Sequence, residues 1–461
     1  MAGSGLRRAT DHRAILVATG MVVISAGWAH AGGFAIREQS TSGLGSAFAG
    51  VAAGYDLSSM FWNPAALAAV PGTNTESHAA VIIPDTEIKD GVISSSNPFA
   101  QALVVPTLAP LNDSTSIAGL AVVPASYAGH QVGGQGGNLF IGFGTNSPFG
   151  LTTKPDDSNW RGFMHGRRSS IFNMNANPVV AYKIANGVAV GVGAQISYFD
   201  LTFKFGPAPD VTQPSAVINA DDYGFGFTAG IMLEPVRGTS IGIGYRSEIE
   251  HELEGTFGLA RQPNIGASAD ITLPDVVTIS IRQAITPMVR VMGTNEWTRW
   301  SNLGELKAIA KSAGMVGATA FAAGDTITAI ALDWQDSWFA SVGLEFDHSA
   351  DLTLRAGVGF EESPISGNST RLVQVPDTDR TWASVGATYR YSENISLDFA
   401  YTHIFFEDDD IDYGVDRFSG LLGDVDYNLT AKTENSTDIV AFSFKYKLGG
   451  GLPLLMDEPL K

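Results

Sequence analysis

Residues 337–361 read SWFASVGLEFDHSADLTLRAGVGFE and decide the fold class of the chain. Apolar residues stand at every even position from 340 to 346 and again from 352 to 360, and small or polar residues stand between them. The residues DHSAD at 347–351 are typical of a tight turn. Because the side chains of a β-strand point alternately to its two faces, the stretch predicts a hairpin with one apolar and one polar face.

The same pattern recurs from residue 138 to residue 448, where short connections near 186, 236, 287 and 393 alternate with long ones. The long polar connections cover 154–166, 206–221, 258–268, 304–333, 365–379 and 409–435. Outer-membrane barrels join their strands in this way, with short periplasmic turns and longer outer loops. We therefore predict an all-β fold, a transmembrane antiparallel β-barrel of about 14 strands. A soluble β-sandwich is the alternative, but it needs no such sorting of loop lengths.

The two ends of the chain differ from this pattern. Three arginines within the first 13 residues precede an apolar run from Ala14 to Trp28 and the sequence Ala29-His30-Ala31. This arrangement predicts a secretory signal peptide over residues 1–31, cleaved after Ala31. We expect the barrel to span 73–448, and residues 449–461 to form a tail after the last strand.

Residues 32–72 show no strand alternation and are dominated by small residues. Such a segment can pack its backbone closely against other surfaces in short helices and turns. It therefore predicts an N-terminal hatch that plugs the lumen. In Asn63-Pro64-Ala65, Asn can bond its own backbone and Pro fixes φ, as a turn requires.

Composition excludes several classes of function. The 461 residues include no cysteine, so no disulfide or cysteine metal site is possible, and no cofactor motif is recognisable. The net charge of −19 argues against nucleic acid as a partner. The eight histidines are scattered outside any nucleophile motif, so we expect no enzymatic activity. The acidic run at 407–410 suits a solvated loop, or alternatively a divalent-cation or lipopolysaccharide-linked site.

An ordered set of motifs resembles the FadL-type long-chain fatty-acid transporters, whose TodX-like branch contains channels for aromatic hydrocarbons. The motifs are Gly33-Phe34, Ser42-Gly43-Leu44-Gly45, Asn63-Pro64-Ala65, Tyr245-Arg246-Ser247-Glu248, Leu273-Pro274 and Val375-Pro376-Asp377-Thr378-Asp379-Arg380. The resemblance implies an outer-membrane barrel of fourteen strands with an N-terminal hatch. It also implies passive uptake of hydrophobic molecules, such as long-chain fatty acids or related hydrocarbons, that leave sideways into the membrane. A general hydrophilic diffusion porin is the rival, although an open pore has no use for a hatch.

Membership of this class implies further partners. A barrel in the outer membrane meets membrane lipid and lipopolysaccharide, and the barrel assembly machinery inserts it. We expect a monomer.

The stretch Asn146-Ser147-Pro148-Phe149-Gly150 is the candidate exit. Proline cannot donate a ladder hydrogen bond and glycine weakens strand pairing, so together they should bend this strand away from its neighbour. The family resemblance implies a lateral opening at a kink in the third strand, which places Ser147, Pro148 and Gly150 there. An ordinary turn at the strand end is the alternative.

Candidate ligand-binding residues come from the hatch and the lumen. The family resemblance places Gly33 and Phe34 beside the ligand and gives Asn63-Pro64-Ala65 a part in gating. Strand alternation predicts that Arg246, Glu248, Glu250 and Glu252 point into the lumen. Arg246 or Arg380 could pair a fatty-acid carboxylate, or these charges could form an ion-pair network that anchors hatch and wall.

Overall fold

The computed structural model describes residues 32–54, 56–108, 110–117, 119–134, 136–418 and 424–448. The predicted signal peptide and the predicted tail therefore lie outside the described residues. None of the helices among the described residues combines the length and the apolar character that a membrane-spanning helix needs.

Strands dominate the chain, and short helices precede and connect them. The strands are β1 (Thr73–Ser94), β2 (Thr115–Ser116), β3 (Ala121–Val132), β4 (Leu139–Asn146), β5 (Gly150–Thr153), β6 (Arg168–Ala185), β7 (Val188–Phe205), β8 (Ala216–Val236), β9 (Thr239–Arg246), β10 (Ile249–Leu259), β11 (Ile265–Leu273), β12 (Val276–Ala284), β13 (Val289–Thr298), β14 (Glu305–Ala310), β15 (Gly314–Val316), β16 (Thr319–Phe321), β17 (Thr326–Ala331), β18 (Ser337–Asp347), β19 (Leu352–Glu361), β20 (Arg380–Arg390), β21 (Ile395–Phe406), β22 (Asp409–Phe418) and β23 (Asp424–Leu448). The α-helices are α1 (Thr41–Leu44) and α2 (Val105–Leu108), the latter continuing a π-helical turn at Ala100–Val104. The 3₁₀ helices are Val51–Ala53, Leu57–Phe61, Pro64–Ala69, Arg161–Met164 and Trp300–Asn302.

Fourteen antiparallel wall strands close into a barrel, as predicted. Three of them are interrupted and consist of β4 with β5, β9 with β10, and β11 with β12; the others are β1, β3, β6 to β8, β13, β18 to β21 and β23. The barrel is closed because β1 pairs with β3 on one side and with the last strand, β23, on the other.

The hairpin of β18 and β19 confirms the alternation that predicted it. Val342 and Leu344 are more than half exposed on the outer face, whereas the flanking residues Ser341 and Glu345 are buried inside. Glycine at the tight turns between β6 and β7 and between β8 and β9 adopts positive φ, +72° at Gly187 and +83° at Gly238. The wall therefore presents an apolar surface to lipid and polar groups to its interior.

Four of the predicted long connections were wrong in part. β8 begins at Ala216, within 206–221, and β10 and β11 extend into 258–268, whereas the other two connections contain strands that the sequence did not predict. Residues 304–333 form β14 to β17, and β14 extends the sheet by pairing with β11. Residues 409–435 contain β22 and the beginning of β23, which pair with each other. β22 and the beginning of β23 do alternate, but with apolar side chains such as Ile411 and Leu429 buried and polar ones such as Asp412 and Thr430 exposed, the reverse of a strand that faces lipid.

The predicted inward direction of Glu250 and Glu252 was also wrong. Arg246 ends β9 with its side chain buried, but Ser247 is buried as well, and the alternation restarts at Ile249. This irregularity moves the even-numbered residues of β10 to the outer face, where Glu250 and Glu252 are exposed. A shift of one residue exchanges the two faces of a strand, and sequence alternation alone does not reveal it.

Candidate functional site

The interior of the barrel is filled by residues 41–54 and 56–72, which we call the plug body. Asn63 holds its centre: the side-chain amide donates to the carbonyls of Ala52 at 2.8 Å and of Ile231 in the wall at 3.0 Å. Its Oδ1 accepts from the Ala65 N–H at 3.0 Å, which caps the 3₁₀ helix that begins at Pro64. Asn63, Pro64 and Ala65 therefore join the plug body to the wall, and they lie apart from the cavity described below.

Inward-facing glycines in the wall let the plug body approach the strands closely. A Cβ atom on Gly244 would lie 1.7 Å from the carbonyl oxygen of Trp62, and one on Gly386 would lie 2.7 Å from the Cα of Gly45. These contacts are backbone against wall, so no side-chain rearrangement could make room. The fit of the plug body therefore depends on glycine at these positions in the barrel wall.

Residues 32–40, which we call the strap, run from the plug body to an aromatic cluster in the lumen. Phe34 is only 3% exposed. The centroid of its ring lies 5.8 Å from that of Phe149, 5.1 Å from that of Trp300 and 5.9 Å from that of Trp334. Gly33 has φ +64°, and a Cβ atom there would lie 2.6 Å from the Trp334 ring, so the approach requires glycine. Trp300 and Trp334 belong to long outer loops, and no sequence motif marked them.

The predicted kink in the third wall strand is present at residues 147–149. β4 pairs with β3 only up to the register Thr145 with Ser126, and β5 pairs with β6. Within the described ranges, the residues 121–125 of β3 pair with β1 alone and leave a break in the ladder beside the kink.

The strap binds the backbone that the kink leaves unpaired. The N–H of Ile36 donates to the carbonyl of Pro148 at 2.7 Å, and the N–H of Gly150 donates to the carbonyl of Phe34 at 2.9 Å. The Gln39 side chain makes two hydrogen bonds to the backbone of Ser147. Its Nε2 donates to the Ser147 carbonyl at 2.7 Å, and its Oε1 accepts from the Ser147 N–H at 3.2 Å. Strap and kink thus form one hydrogen-bonded unit, in which Gln39 was not anticipated from the sequence.

A small cavity of about 50 Å³ lies beside the strap, and Ala35 and Ile36 line it, whereas Gly33 and Phe34 do not. Its lining includes Pro148, Phe149, Arg246, Pro274 and Trp300. Two of the motifs that carried the family resemblance also contribute to the lining. Ser247 lies where the wall is interrupted between β9 and β10, and Pro274 lies where it is interrupted between β11 and β12. Ligand pockets usually measure about 300–1,000 Å³, so a ligand can enter only if the strap moves.

Arg246 reaches this cavity without a carboxylate partner among the described residues. One guanidinium nitrogen donates to the Phe61 carbonyl at 3.0 Å, another donates to the Gln195 side chain, and the group lies 4.2 Å from the centre of the Phe61 ring. A buried guanidinium with only neutral acceptors can still accommodate an anionic ligand. The predicted lumenal position of Arg246 is therefore confirmed.

Arg380 does not line the cavity. Its guanidinium is fully buried and lies 3.1 Å from Glu361 and 3.2 Å from Asp377. Arg37 of the strap continues the contacts, at 2.9 Å from Glu361 and 2.5 Å from Glu296. We call these five residues the ion row. Arg380 therefore belongs to an ion-pair network, which was the alternative to its pairing a fatty-acid carboxylate.

Glu38, next to Arg37, is a buried acid on the strap. Both of its carboxylate oxygens lack a hydrogen-bond partner among the described residues. Burial raises the pKa of Glu38 to about 7. This side chain is therefore close to half protonated near neutral pH.

A second and larger cavity of about 1,090 Å³ opens between the outer loops. Its apolar lining includes Phe203, Phe205, Phe257, Phe321 and Leu372. Leu372 also belongs to the cluster around Phe34, so apolar side chains connect the outer cavity with the strap. The described residues hold no cluster of three or more His, Asp or Glu side chains suited to a metal ion.

Comparisons with known proteins agree with this geometry. Residues 22–448 match the sequence model of a family described as "Outer membrane protein transport protein (OMPP1/FadL/TodX)". The chain is 27% identical to outer membrane protein P1 of Haemophilus influenzae, over 84% of this chain and 89% of the relative. It is 25% identical to the long-chain fatty acid transport protein of Escherichia coli K12, over 84% of this chain and 90% of the relative.

Two solved structures share the fold. A FadL homologue from Pseudomonas aeruginosa superposes with a TM-score of 0.77 at 20% identity, covering 90% of this chain and all of that one. The toluene transporter TodX from Pseudomonas putida superposes with a TM-score of 0.59 at 13% identity, covering 91% of this chain and all of that one.

Proposed function

Because the chain belongs to the OMPP1/FadL/TodX family of outer-membrane transport proteins, we propose that it takes up long-chain fatty acids passively and releases them sideways through the barrel wall. Its location in the outer membrane and its role in the uptake of hydrophobic molecules follow from the family. The observation that supports this proposal most directly is that apolar side chains connect the outer cavity with Phe34, and that the strap containing Phe34 lies against the kink.

Capture would begin in the outer cavity. Its volume of about 1,090 Å³ suits an acyl chain, and burial of apolar surface there yields about 25 cal/mol per Å². The open, partly polar lining favours weak binding, from which a solute can move on. Entry to the inner cavity then requires displacement of the strap, because the free space beside it is only about 50 Å³.

Arg246 supports a fatty acid over a neutral hydrocarbon as the substrate. The other two arginines near the strap, Arg37 and Arg380, already have carboxylate partners. Arg246 has only neutral acceptors among the described residues and faces the cavity. A carboxylate at the end of an acyl chain would meet an uncompensated guanidinium there.

The substrate proposal is tested by binding. Arg246→Gln should weaken binding of oleate about 10- to 100-fold, the loss expected for one charge-assisted hydrogen bond, but leave binding of oleyl alcohol unchanged. Quenching of tryptophan fluorescence reports both ligands, since Trp300 lines the cavity. Arg237→Gln, in an exposed turn, is the matched control. Equal loss for acid and alcohol would refute carboxylate recognition by Arg246.

The exit proposal needs a variant that restores strand pairing at the kink. Pro148→Val adds a backbone donor and Gly150→Val adds β propensity, but a Cβ on Gly150 would lie 2.7 Å from the Ile36 side chain. We therefore combine both with Ile36→Ala and use Ile36→Ala alone as the control. The triple variant should bind oleate but fail to deliver it to cells. Normal uptake by a folded variant with a sealed wall would contradict lateral release.

The rival diffusion porin predicts a different result. An open pore conducts ions, whereas a lumen occupied by the plug body should give little conductance in planar bilayers. We also propose that the protein has no enzymatic activity, in keeping with a family of transport proteins.

A further inference from the structure

The ion row is short of one positive charge. Its contacts run from Glu296 to Arg37, Glu361, Arg380 and Asp377, with separations of 2.5, 2.9, 3.1 and 3.2 Å. Every member is at most 9% exposed. Three carboxylates face two guanidinium groups, so the fully ionised row has a net charge of −1. A buried charge without a counter-ion is costly, and a further cation nearby would stabilise the row.

The beginning of the strap lies at the acidic end of this row. The Gly33 N–H donates to Asp377 Oδ2 at 3.0 Å. A Cβ atom built on Gly32 would lie 2.7 Å from Glu361 Oε1 and 3.2 Å from Arg380 Nη2. Since backbone geometry keeps the nitrogen of Gly32 within about 4 Å of the Gly33 nitrogen, this atom lies among the same carboxylates.

We propose that cleavage of the peptide bond between Ala31 and Gly32 creates the missing cation, and that the new α-ammonium group of Gly32 binds Asp377 and Glu361 inside the barrel. A peptidase hydrolyses the bond with water, leaving a carboxylate on Ala31 and an amine on Gly32. An α-amine has an ordinary pKa of about 7.7–8.0, so it takes up a proton at neutral pH. The row then contains three cations and three anions.

The unprocessed chain cannot satisfy the row in this way, because an amide N–H at Gly32 is neutral. Asp377 has room for the extra partner: its Oδ1 lies 3.2 Å from Arg380 but makes no hydrogen bond among the described residues. Burial also raises the pKa of Asp377 above its usual range, in spite of Arg380. Processing would thus do more than release the protein from its signal, since it would complete the anchor of the strap. This inference is independent of the molecule transported.

The reactivity of the amine provides a direct test. Intact mass measurement of protein extracted from outer membranes should give a chain that begins at Gly32. At pH 7 an N-hydroxysuccinimide ester should acylate this α-amine at least tenfold more slowly in the folded barrel than in the heat-denatured protein. Asp377→Asn should raise the rate in the folded state. Asp379→Asn, a neighbouring carboxylate that accepts from the Ser363 N–H, should leave it unchanged.

A second variant keeps the test decisive if Asp377→Asn does not fold. One alanine inserted between Ala31 and Gly32 moves the ammonium by about 3.5 Å and retains every carboxylate. It should also accelerate acylation of the folded protein. A mature chain that begins elsewhere, equal reactivity in folded and denatured protein, or an insertion without effect would each overturn the proposal.

Discussion

The strap and the plug body fill the same lumen, but they are held by different kinds of contact. The plug body fits against backbone atoms, as where Gly244 leaves room for the Trp62 carbonyl. The strap is held by the Phe34 ring, by hydrogen bonds to the kink and by the Arg37 ion pairs. Contacts of the second kind can be exchanged for a ligand and water, whereas a fit between backbones cannot. We infer that the strap moves during transport and the plug body does not.

The same contrast exists in the polar contacts. Asp56 of the plug body bonds Ser42 and Ser58 and lies 3.1 Å from Lys445 of the wall. Although burial opposes ionisation, these partners hold the pKa of Asp56 well below its usual range. Glu38 of the strap has no such partners and titrates near neutral pH. The carboxylate of the plug body is therefore fixed in its charge, and the carboxylate of the strap is not.

The largest effect should come from disturbing the fit of the plug body. Gly244→Ala places a methyl group 1.7 Å from the Trp62 carbonyl oxygen, so the plug must shift. We expect the free energy of unfolding to fall by about 5 kcal/mol or more, beyond the roughly 1–3 kcal/mol typical of overpacking, because the clashing atom belongs to the backbone, and ion conductance to rise. Gly293→Ala is the matched control, because the nearest atoms there lie 3.6 Å away. Heat-resistant migration in electrophoresis and bilayer conductance measure both effects. Identical behaviour of the two variants would contradict a close-fitting plug.

An intermediate effect should come from Phe34→Ala, which empties the aromatic cluster without touching the plug body. Removing a buried phenylalanine ring costs about 3–5 kcal/mol. Hydrogen exchange in residues 33–40 should therefore become much faster, while exchange in residues 57–69 stays slow. Phe399→Ala on the lipid face, where the side chain is 54% exposed, is the control. Equal acceleration in both segments would mean that strap and plug body open together.

A smaller effect concerns pH. The pKa of Glu38 is raised from 4.5 to about 7 in the docked strap, so docking favours the protonated form. The stabilisation is complete below pH 4.5 and is lost as the pH rises through 7, with a slope of at most about 1.4 kcal/mol per pH unit. Hydrogen exchange in residues 33–40, corrected for its intrinsic pH dependence, should be faster at pH 8 than at pH 5.5. Glu38→Gln should abolish this difference, and a persistent difference would assign it to another group.

The sequence alone specified much of this architecture. Period-two alternation and turn residues such as those at 347–351 are local properties, so they predicted the wall strands and their short connections. Local chemistry also marked Pro148 and Gly150 as the point where the third wall strand is interrupted, and alternation placed Arg246 in the lumen.

Only the tertiary structure decided what these elements meet. The outward turn of Glu250 results from one irregularity at Ser247, which local pattern does not reveal. Trp300 and Trp334 reach Phe34 from distant loops, and Gln39 finds its partner 108 residues away. The separation of Arg246, which faces a cavity, from Arg380, which is enclosed by carboxylates, likewise depends on contacts between remote parts of the chain. Alternation determines which face a side chain takes, but closure of the barrel determines its neighbours.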